Sequence, residues 1–347
     1  MEPSAPRLKA VTRLPLLDAL RGIAAIAVVF HHEPGLYGSH GLFARAYLAV
    51  DFFFMLSGFV LTLAFEPKFR AGLIANRFLI QRLARLWPVL AVGIVIAGAG
   101  QWWAYGGTRP LVLTGLGLLL LSDFRGVWGI YPLDGPQWSV TFEILANALH
   151  ATGLWRLSDR AVLCFALACG ALLAALGWHF GTLGIGDIVP NWWGGLARVG
   201  FGYALGVWLG RQFAAGRGRI ALGRWSGVAV LPVPFVLLTA GWWPLASPMA
   251  DMIAVFVIFP PALWIAAQVV MPGIAARAAD ALGRLSYPVY AIHVPVLVVG
   301  ARIAHGHPAH LDAIRGATLV ATFALAGALA ISPLARGIPV GLRKARG

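Results

Sequence analysis

The sequence is poor in charged residues, and in acidic residues above all. Only 12% of its 347 residues are charged, and 13 Asp plus Glu stand against 27 Lys plus Arg, a formal net charge of +14. With 59% hydrophobic residues and a mean hydropathy of +0.79, this scarcity excludes an ordinary soluble domain. We therefore expect an all-α polytopic membrane protein. The basic excess lies mostly between apolar runs, so it predicts a contact with the lipid bilayer and no nucleic-acid partner.

Cysteine is equally scarce. Cys164 and Cys169 share one apolar run with no histidine cluster near them, which predicts packing residues. His305, His307 and His310 form a triplet without an acidic cluster, and we interpret them as surface residues, so no metal site is predicted. The first apolar run carries charges and lacks a small-residue cleavage pattern, so it should remain as a helix.

Long apolar runs, by contrast, fill most of the chain. The candidate helices lie at 14–32, 46–65, 83–103, 111–121, 138–154, 161–180, 192–213, 227–245, 250–271, 285–303 and 316–334. A span needs roughly 20 residues to cross ~30 Å of hydrocarbon, and segment 111–121 would cover only about 16 Å. If that segment does not cross, most basic residues fall on one side, which the positive-inside rule makes cytoplasmic.

This topology predicts about ten transmembrane helices, with 111–121 as a short re-entrant or surface helix. The chain divides into a cytoplasmic tail 1–13, a transmembrane domain 14–334 and a basic cytoplasmic tail 335–347. Both termini are then cytoplasmic.

The first predicted helix places ionisable groups at both of its ends. Arg21 and His32 are 11 positions apart, about three turns or ~16 Å, so they share one face, and Asp18 can pair with Arg21. His31 lies off that face by roughly 80°. The arrangement indicates either a functional stripe or an interfacial cap in which the charges reach the two membrane surfaces.

An acid then enters the second predicted helix. Asp51 stands in an almost wholly apolar run, where an unpaired carboxylate costs on the order of 3 kcal/mol, so a partner such as Arg21 or His32 is expected. The alternative is a carboxylate that caps the helix at the interface. Ser57, followed by glycine, is typical of close helix packing.

The third predicted helix begins with a basic cluster. Arg82 and Arg85 are spaced i and i+3, which suits a clamp for phosphate groups, and Arg77 precedes them. Positive-inside charge alone is the other interpretation of these arginines.

Two later helices carry polar stripes. Trp138, Ser139 and Glu143 open one of them, and the topology places Glu143 toward the outside with His32. Tyr290 and His293 follow Ser286 at i+4 and i+7 of the other, which predicts a stripe that lines a cavity or a set of structural hydrogen bonds.

Five segments, in order along the chain, resemble the acyltransferase-3 family of integral membrane O-acyltransferases. They are Leu17-Asp18-Ala19-Leu20-Arg21-Gly22 with His32, Val50-Asp51-Phe52-Phe53-Phe54-Met55-Leu56-Ser57-Gly58-Phe59, Arg82-Leu83-Ala84-Arg85, Trp138-Ser139-Val140-Thr141-Phe142-Glu143 and Leu285-Ser286-Tyr287-Pro288-Val289-Tyr290-Ala291-Ile292-His293.

The resemblance implies transfer of an acyl group, usually acetyl, from cytoplasmic acyl-CoA to a hydroxyl of a glycan or other acceptor beyond the membrane. It makes His32 the catalytic base or acyl carrier and Arg21 its electrostatic partner. Asp51 or Glu143 is expected to orient His32. No permanently bound cofactor is expected, since acetyl-CoA is a co-substrate, and the location implied is the bacterial inner membrane.

The resemblance further implies that Arg82 and Arg85, with Arg77, handle the donor. Ser57, Trp138, Ser139, Tyr290 and His293 are expected to line the cavity. Two other hypotheses remain open: a proton-coupled transporter or glycan exporter that uses the same acids and histidines as a proton relay, and a structural membrane scaffold.

Overall fold

The computed structural model describes residues 14–37, 43–126, 129–218, 220, 247–271 and 273–336. Most of the described residues are helical. In chain order the helices are α1 (Pro15–Tyr37), α2 (Ala49–Arg70), α3 (Ala75–Tyr105), α4 (Arg109–Leu118), α5 (Gln137–Thr152), α6 (Asp159–Phe180), α7 (Gly194–Ala214), α8 (Ser247–Met252), α9 (Phe259–Gln268), α10 (Gly273–Gly306), α11 (Leu311–Ile331) and α12 (Pro333–Arg336).

Seven helical segments of the described chain are long and apolar enough to cross a membrane. They are Pro15–Tyr37, Ala46–Arg70, Ala75–Tyr105, Asp159–Phe180, Pro248–Gln268, Gly273–Gly306 and Pro308–Ile331. The prediction of an all-α polytopic membrane protein is therefore confirmed. The count of about ten is not, since α5 and α7 are not among the seven and the predicted span 227–245 lies outside the described residues.

Helix α4 has the short form predicted for segment 111–121. Its 10 residues rise about 15 Å, half of what a span needs. It folds back along α3: the Trp87 indole donates to the Leu118 carbonyl at 2.8 Å, and Gly98 packs against Thr114. The chain then turns into α5, where Gln137 donates to the Gly117 carbonyl at 2.7 Å.

A stripe of glycines allows α7 to lie directly against α2. At Gly206 an added Cβ would lie 2.0 Å from the Met55 carbonyl oxygen, and at Gly58 it would lie 2.1 Å from that of Tyr203. Helices that approach this closely need small residues at the contact, as in other membrane bundles. The close helix packing predicted from Ser57 and the glycine that follows it is therefore confirmed at Gly58.

Buried ion pairs hold the C-terminal end of α7. Arg211 donates to Glu66 of α2 at 2.9 Å, and His150 of α5 lies 3.4 Å from the same carboxylate oxygen. The Tyr203 hydroxyl contacts His150 and donates to Asn147 at 3.0 Å. These buried polar groups tie α2, α5 and α7 together.

Helices α1 and α10 run side by side in the same direction. Gly22 meets Leu282 and Gly283 meets Asp18, so the two helices approach closely near the start of α1. Farther along, His32 meets His293. The predicted common face of α1 is therefore confirmed, because both ends of that face point at α10.

Candidate active site

A cavity of about 290 Å³ lies at the end of the bundle where α1 ends and α2 and α7 begin. We call it the histidine cavity. Its walls combine imidazoles, aromatic rings, hydroxyls, a guanidinium and a carboxylate, from the residues Val28, His31, His32, Tyr47, Val50, Gly135, Pro136, Trp138, Thr182, Gly184, Asp187, Arg198 and Tyr290.

The hydrogen bonds of two histidines fix their tautomers. His293 is fully buried, and its Nδ1 lies 2.8 Å from the Tyr290 carbonyl, which only accepts, so the proton of His293 is on Nδ1 and its Nε2 is a lone pair. His32 Nδ1 lies 3.0 Å from the Val28 carbonyl and 3.3 Å from that lone pair, so it carries a proton as well. In the neutral ring, His32 Nε2 is then unprotonated, has no partner among the described residues and can act as a base.

His31 lines the same cavity although the helix geometry of α1 sets it off the face of Arg21. Its ring lies 5.0 Å from the ring of His32 and 5.7 Å from that of Tyr47. Its Nδ1 donates to the Phe43 carbonyl at 3.0 Å, which anchors the ring to the segment before α2. The cavity therefore presents two neighbouring imidazoles.

The partner of Asp51 is Arg198 of α7. Arg198 Nη2 and Nε donate to the two Asp51 oxygens at 2.6 and 3.0 Å, and both side chains are almost fully buried. The expectation that Arg21 or His32 pairs with Asp51 is wrong, because the two-pronged guanidinium of α7 already satisfies the carboxylate. Asp51 therefore holds Arg198 in the cavity wall and does not orient His32.

A second buried acid fixes two cavity hydroxyls. Asp251 accepts from the Tyr47 hydroxyl at 2.8 Å, from the Thr182 hydroxyl at 3.0 Å and from Arg45 at 2.7 Å. Asp187 lies in the loop before α7, where desolvation raises the pKa of its carboxyl above the usual range. The polar side of the cavity is thus built in advance of any ligand.

The loop before α5 closes another wall. The Tyr290 hydroxyl lies 2.6 Å from Ser139 Oγ, and the Trp138 ring packs 5.2 Å from the Arg198 guanidinium. Asp134 is 1% exposed, and neither carboxylate oxygen has a partner among the described residues. Burial raises the pKa of Asp134 well above its usual range, which favours the neutral acid.

Of the residues expected to line the cavity, Trp138 and Tyr290 do so. Ser139 and His293 lie one layer behind, in contact with Tyr290 and His32 respectively. Ser57 belongs to a different group, since it donates to Glu143 at 2.6 Å.

A second site, which we call the arginine cluster, consists of Asp18, Arg21, Arg82, Arg85 and Glu143. Arg21 pairs with Asp18 at 3.0 Å, as predicted, and donates to Ser286 Oγ at 2.9 Å and the Gly283 carbonyl at 2.8 Å. Arg21 lies ~16 Å along α1 from His32, and these hydrogen bonds place it in the arginine cluster.

Glu143 belongs to the arginine cluster and not to the histidine cavity. Its Oε1 accepts from Arg82 Nη2 at 3.1 Å and from Ser57 at 2.6 Å. The expectation that Glu143 lies beside His32 is therefore wrong: α5 begins with Gln137 against Gly117 of the short helix α4, and Glu143 lies nearly two turns farther on.

The two arginines of α3 differ in their environments. Arg82 is buried, and its Nε has no partner among the described residues. Arg85 is exposed and interacts electrostatically with Arg21, Arg82 and Glu143. Arg77 is exposed near the start of α3, and in the described chain no hydrogen bond or ion pair ties it to the cluster.

Sequence reasoning missed several residues of the histidine cavity. Arg198 is a charge inside an apolar helix, which was a signal available from the sequence alone. Tyr47, Thr182 and Asp187 carried no comparable signal, because each stands in a loop or at a helix start. His31 was not selected because it lies off the helix face of Arg21 and His32. The cavity is wider than one helix face, so His31 lines it as well.

Comparisons with known proteins agree with this architecture. A family described as an acyltransferase domain matches residues 14–336. Protein 2 in the picA locus of Rhizobium radiobacter is 33% identical over 182 residues, which is 47% of this chain and 94% of that protein. No solved structure matches. The match over nearly the whole chain places it in the acyltransferase-3 family, and this protein is a multi-pass membrane acyltransferase.

Proposed function

We propose that this protein is an O-acyltransferase that moves an acyl group, most simply acetyl, from cytoplasmic acyl-CoA to a hydroxyl of a glycan or another cell-envelope or secreted acceptor. The observation that carries the proposal is that α1 and α10 each contribute to two sites. Arg21 and Ser286 meet in the arginine cluster, and His32 and His293 meet at the histidine cavity.

The arginine cluster suits an anionic donor. Arg85 is exposed, and Arg82 keeps a buried Nε without a partner in the described chain. Guanidinium groups bind phosphate oxygens in a two-pronged geometry, and acyl-CoA carries several phosphates. Glu143 and Ser57 would hold Arg82 in place for that contact.

The histidine cavity suits the acceptor. His32 Nε2 removes the proton of the acceptor hydroxyl, or it first takes up the acyl group and passes it on. In either case positive charge develops on the His32 ring, and its Nδ1 proton is already shared with the Val28 carbonyl and His293 Nε2. This contact stabilises the charged ring and keeps Nε2 toward the cavity.

The topology gives the two sites a direction. If the basic loops are cytoplasmic, the arginine cluster faces the cytoplasm, where acyl-CoA is found, and the histidine cavity faces the other side. The proposed location is a bacterial inner membrane with both termini in the cytoplasm. No cofactor beyond the acyl-CoA co-substrate enters the proposal.

Donor turnover tests this function. Purified protein in detergent is mixed with acetyl-CoA, and release of free CoA thiol is followed. We expect turnover by the wild type and a raised KM in Arg85→Ala, with Arg77→Ala as the matched control on the same helix. If the wild type neither binds nor turns over acyl-CoA, and reconstituted protein carries a substrate across vesicles without it, the protein acts as a transporter and the proposal is wrong.

A further inference from the structure

The guanidinium of Arg198 lies in the wall of the histidine cavity with one donor to spare. It donates to Asp51 at 2.6 and 3.0 Å, from Nη2 to the Tyr47 carbonyl at 3.0 Å and from Nη1 to the Ile185 carbonyl at 2.9 Å. A guanidinium has five N–H groups. Four are used, so one Nη1–H has no partner among the described residues.

This guanidinium is held rigidly. Arg198 is 2% exposed, Asp51 engages it from two directions, and the Trp138 ring packs 5.2 Å from its central carbon. Donors fixed in a site of low dielectric stabilise negative charge that develops during a reaction, because no reorganisation is needed at that moment. The remaining Nη1–H is such a donor.

Arg21 does not compete for this role. Three of its five N–H groups donate to Asp18, Ser286 and the Gly283 carbonyl in the arginine cluster, and it lies ~16 Å from His32 along α1. Asp187, the acid that lines the cavity, supplies no positive charge to an oxyanion. Among the described residues that line this cavity together with His32, Arg198 is therefore the residue with a guanidinium.

We propose that Arg198 is a catalytic residue that stabilises the oxyanion of acyl transfer through its remaining Nη1–H. The inference rests on the proposed function. The acceptor oxygen bonds to the acyl carbon as His32 Nε2 takes the hydroxyl proton, and the carbonyl π electrons move to its oxygen, which receives the Nη1–H bond. The intermediate then reforms the carbonyl and expels the thiolate of CoA, which leaves as the thiol with the proton from His32.

The test compares two conservative variants on one helix. Arg198→Lys keeps a positive charge near Asp51 but loses the planar fork, whereas Arg211→Lys makes the same change in a buried pair at the other end of α7. We expect kcat for acyl-donor turnover to fall about 10²-fold in Arg198→Lys with KM for acetyl-CoA nearly unchanged, and to stay near wild type in folded Arg211→Lys. Wild-type kcat in folded Arg198→Lys, or an equal loss in Arg211→Lys, overturns the proposal.

A second variant keeps the test informative if Arg198→Lys does not fold. Asp51→Leu with Arg198→Met removes both charges together, and buried pairs replaced in this way commonly remain folded. Its kcat should fall at least about 10²-fold below that of the wild type, and wild-type kcat there also overturns the proposal. The proposed function is tested separately, by whether the wild type turns over acetyl-CoA and His32→Ala does not. The proposed function and the role of Arg198 can therefore fail independently.

Discussion

Removing the carboxylate of Asp51 should destabilise the protein more than any change at its surface. In Asp51→Ala the Arg198 charge stays 2% exposed, loses two hydrogen bonds of 2.6 and 3.0 Å, and keeps only the carbonyls of Tyr47 and Ile185. Loss of one partner of a buried ion pair costs about 3–5 kcal/mol. Because the two carbonyls still accept from Arg198, we expect a loss near the lower end, about 3 kcal/mol in the free energy of unfolding.

The assay is unfolding by SDS in mixed micelles, followed by tryptophan fluorescence. The control is Asp312→Ala, an exposed acid, which should change the free energy of unfolding by no more than about 0.5 kcal/mol. Asp51→Leu combined with Arg198→Met should recover most of the lost stability, since it leaves no charge unpaired. The reasoning is refuted if Asp51→Ala matches the control, or if the double variant is no more stable than Asp51→Ala.

Three further predictions concern other parts of the molecule. Gly206→Ala should destabilise the contact between α2 and α7 by at least about 1 kcal/mol, because its Cβ would lie 2.0 Å from a backbone oxygen. Gly316→Ala, where the added Cβ meets open space, should not destabilise the protein, and thermal unfolding compares the two variants. Burial raises the pKa of Asp134, so the folded protein holds that proton more tightly than the unfolded chain, and stability is lost as pH rises from about 3.9 toward the raised value. Asp134→Asn should remove this loss, so at pH 7 it should unfold at a higher temperature than the wild type. An unchanged pH dependence of the unfolding temperature contradicts the assignment. Arg85→Ala should weaken equilibrium binding of CoA about tenfold, as expected for one lost charge-assisted contact, and Arg77→Ala should weaken it less than twofold. Equal effects of the two variants would mean that these arginines act only as general surface charge.

Features within one helix could be predicted from the sequence. The 3.6-residue period places Arg21 and His32 on one face of α1, and the structure shows both facing α10. The same arithmetic predicted the contact of Asp18 with Arg21, and the length of segment 111–121 predicted a helix too short to cross. In each case the geometry of one local element decides the outcome.

Contacts between distant helices could not be predicted in the same way. The sequence showed that Asp51 needs a partner but not that a close approach of α2 and α7 supplies Arg198. Glu143 was assigned to the wrong site although the start of α5 was predicted to within one residue, because its partners Ser57 and Arg82 come from two other helices. Burial cost predicts that a charge must be paired, while the packing of helices decides the pair.

The most direct test of the account is the turnover number of acetyl-CoA by purified His32→Ala beside His305→Ala. His305 is an exposed histidine on α10, so its loss should leave kcat at the wild-type value. We expect that His32→Ala, folded and still able to bind CoA, loses at least about 10²-fold in kcat, as for removal of a general base or acyl carrier. Turnover by His32→Ala at the rate of His305→Ala would contradict the central role given to the histidine cavity.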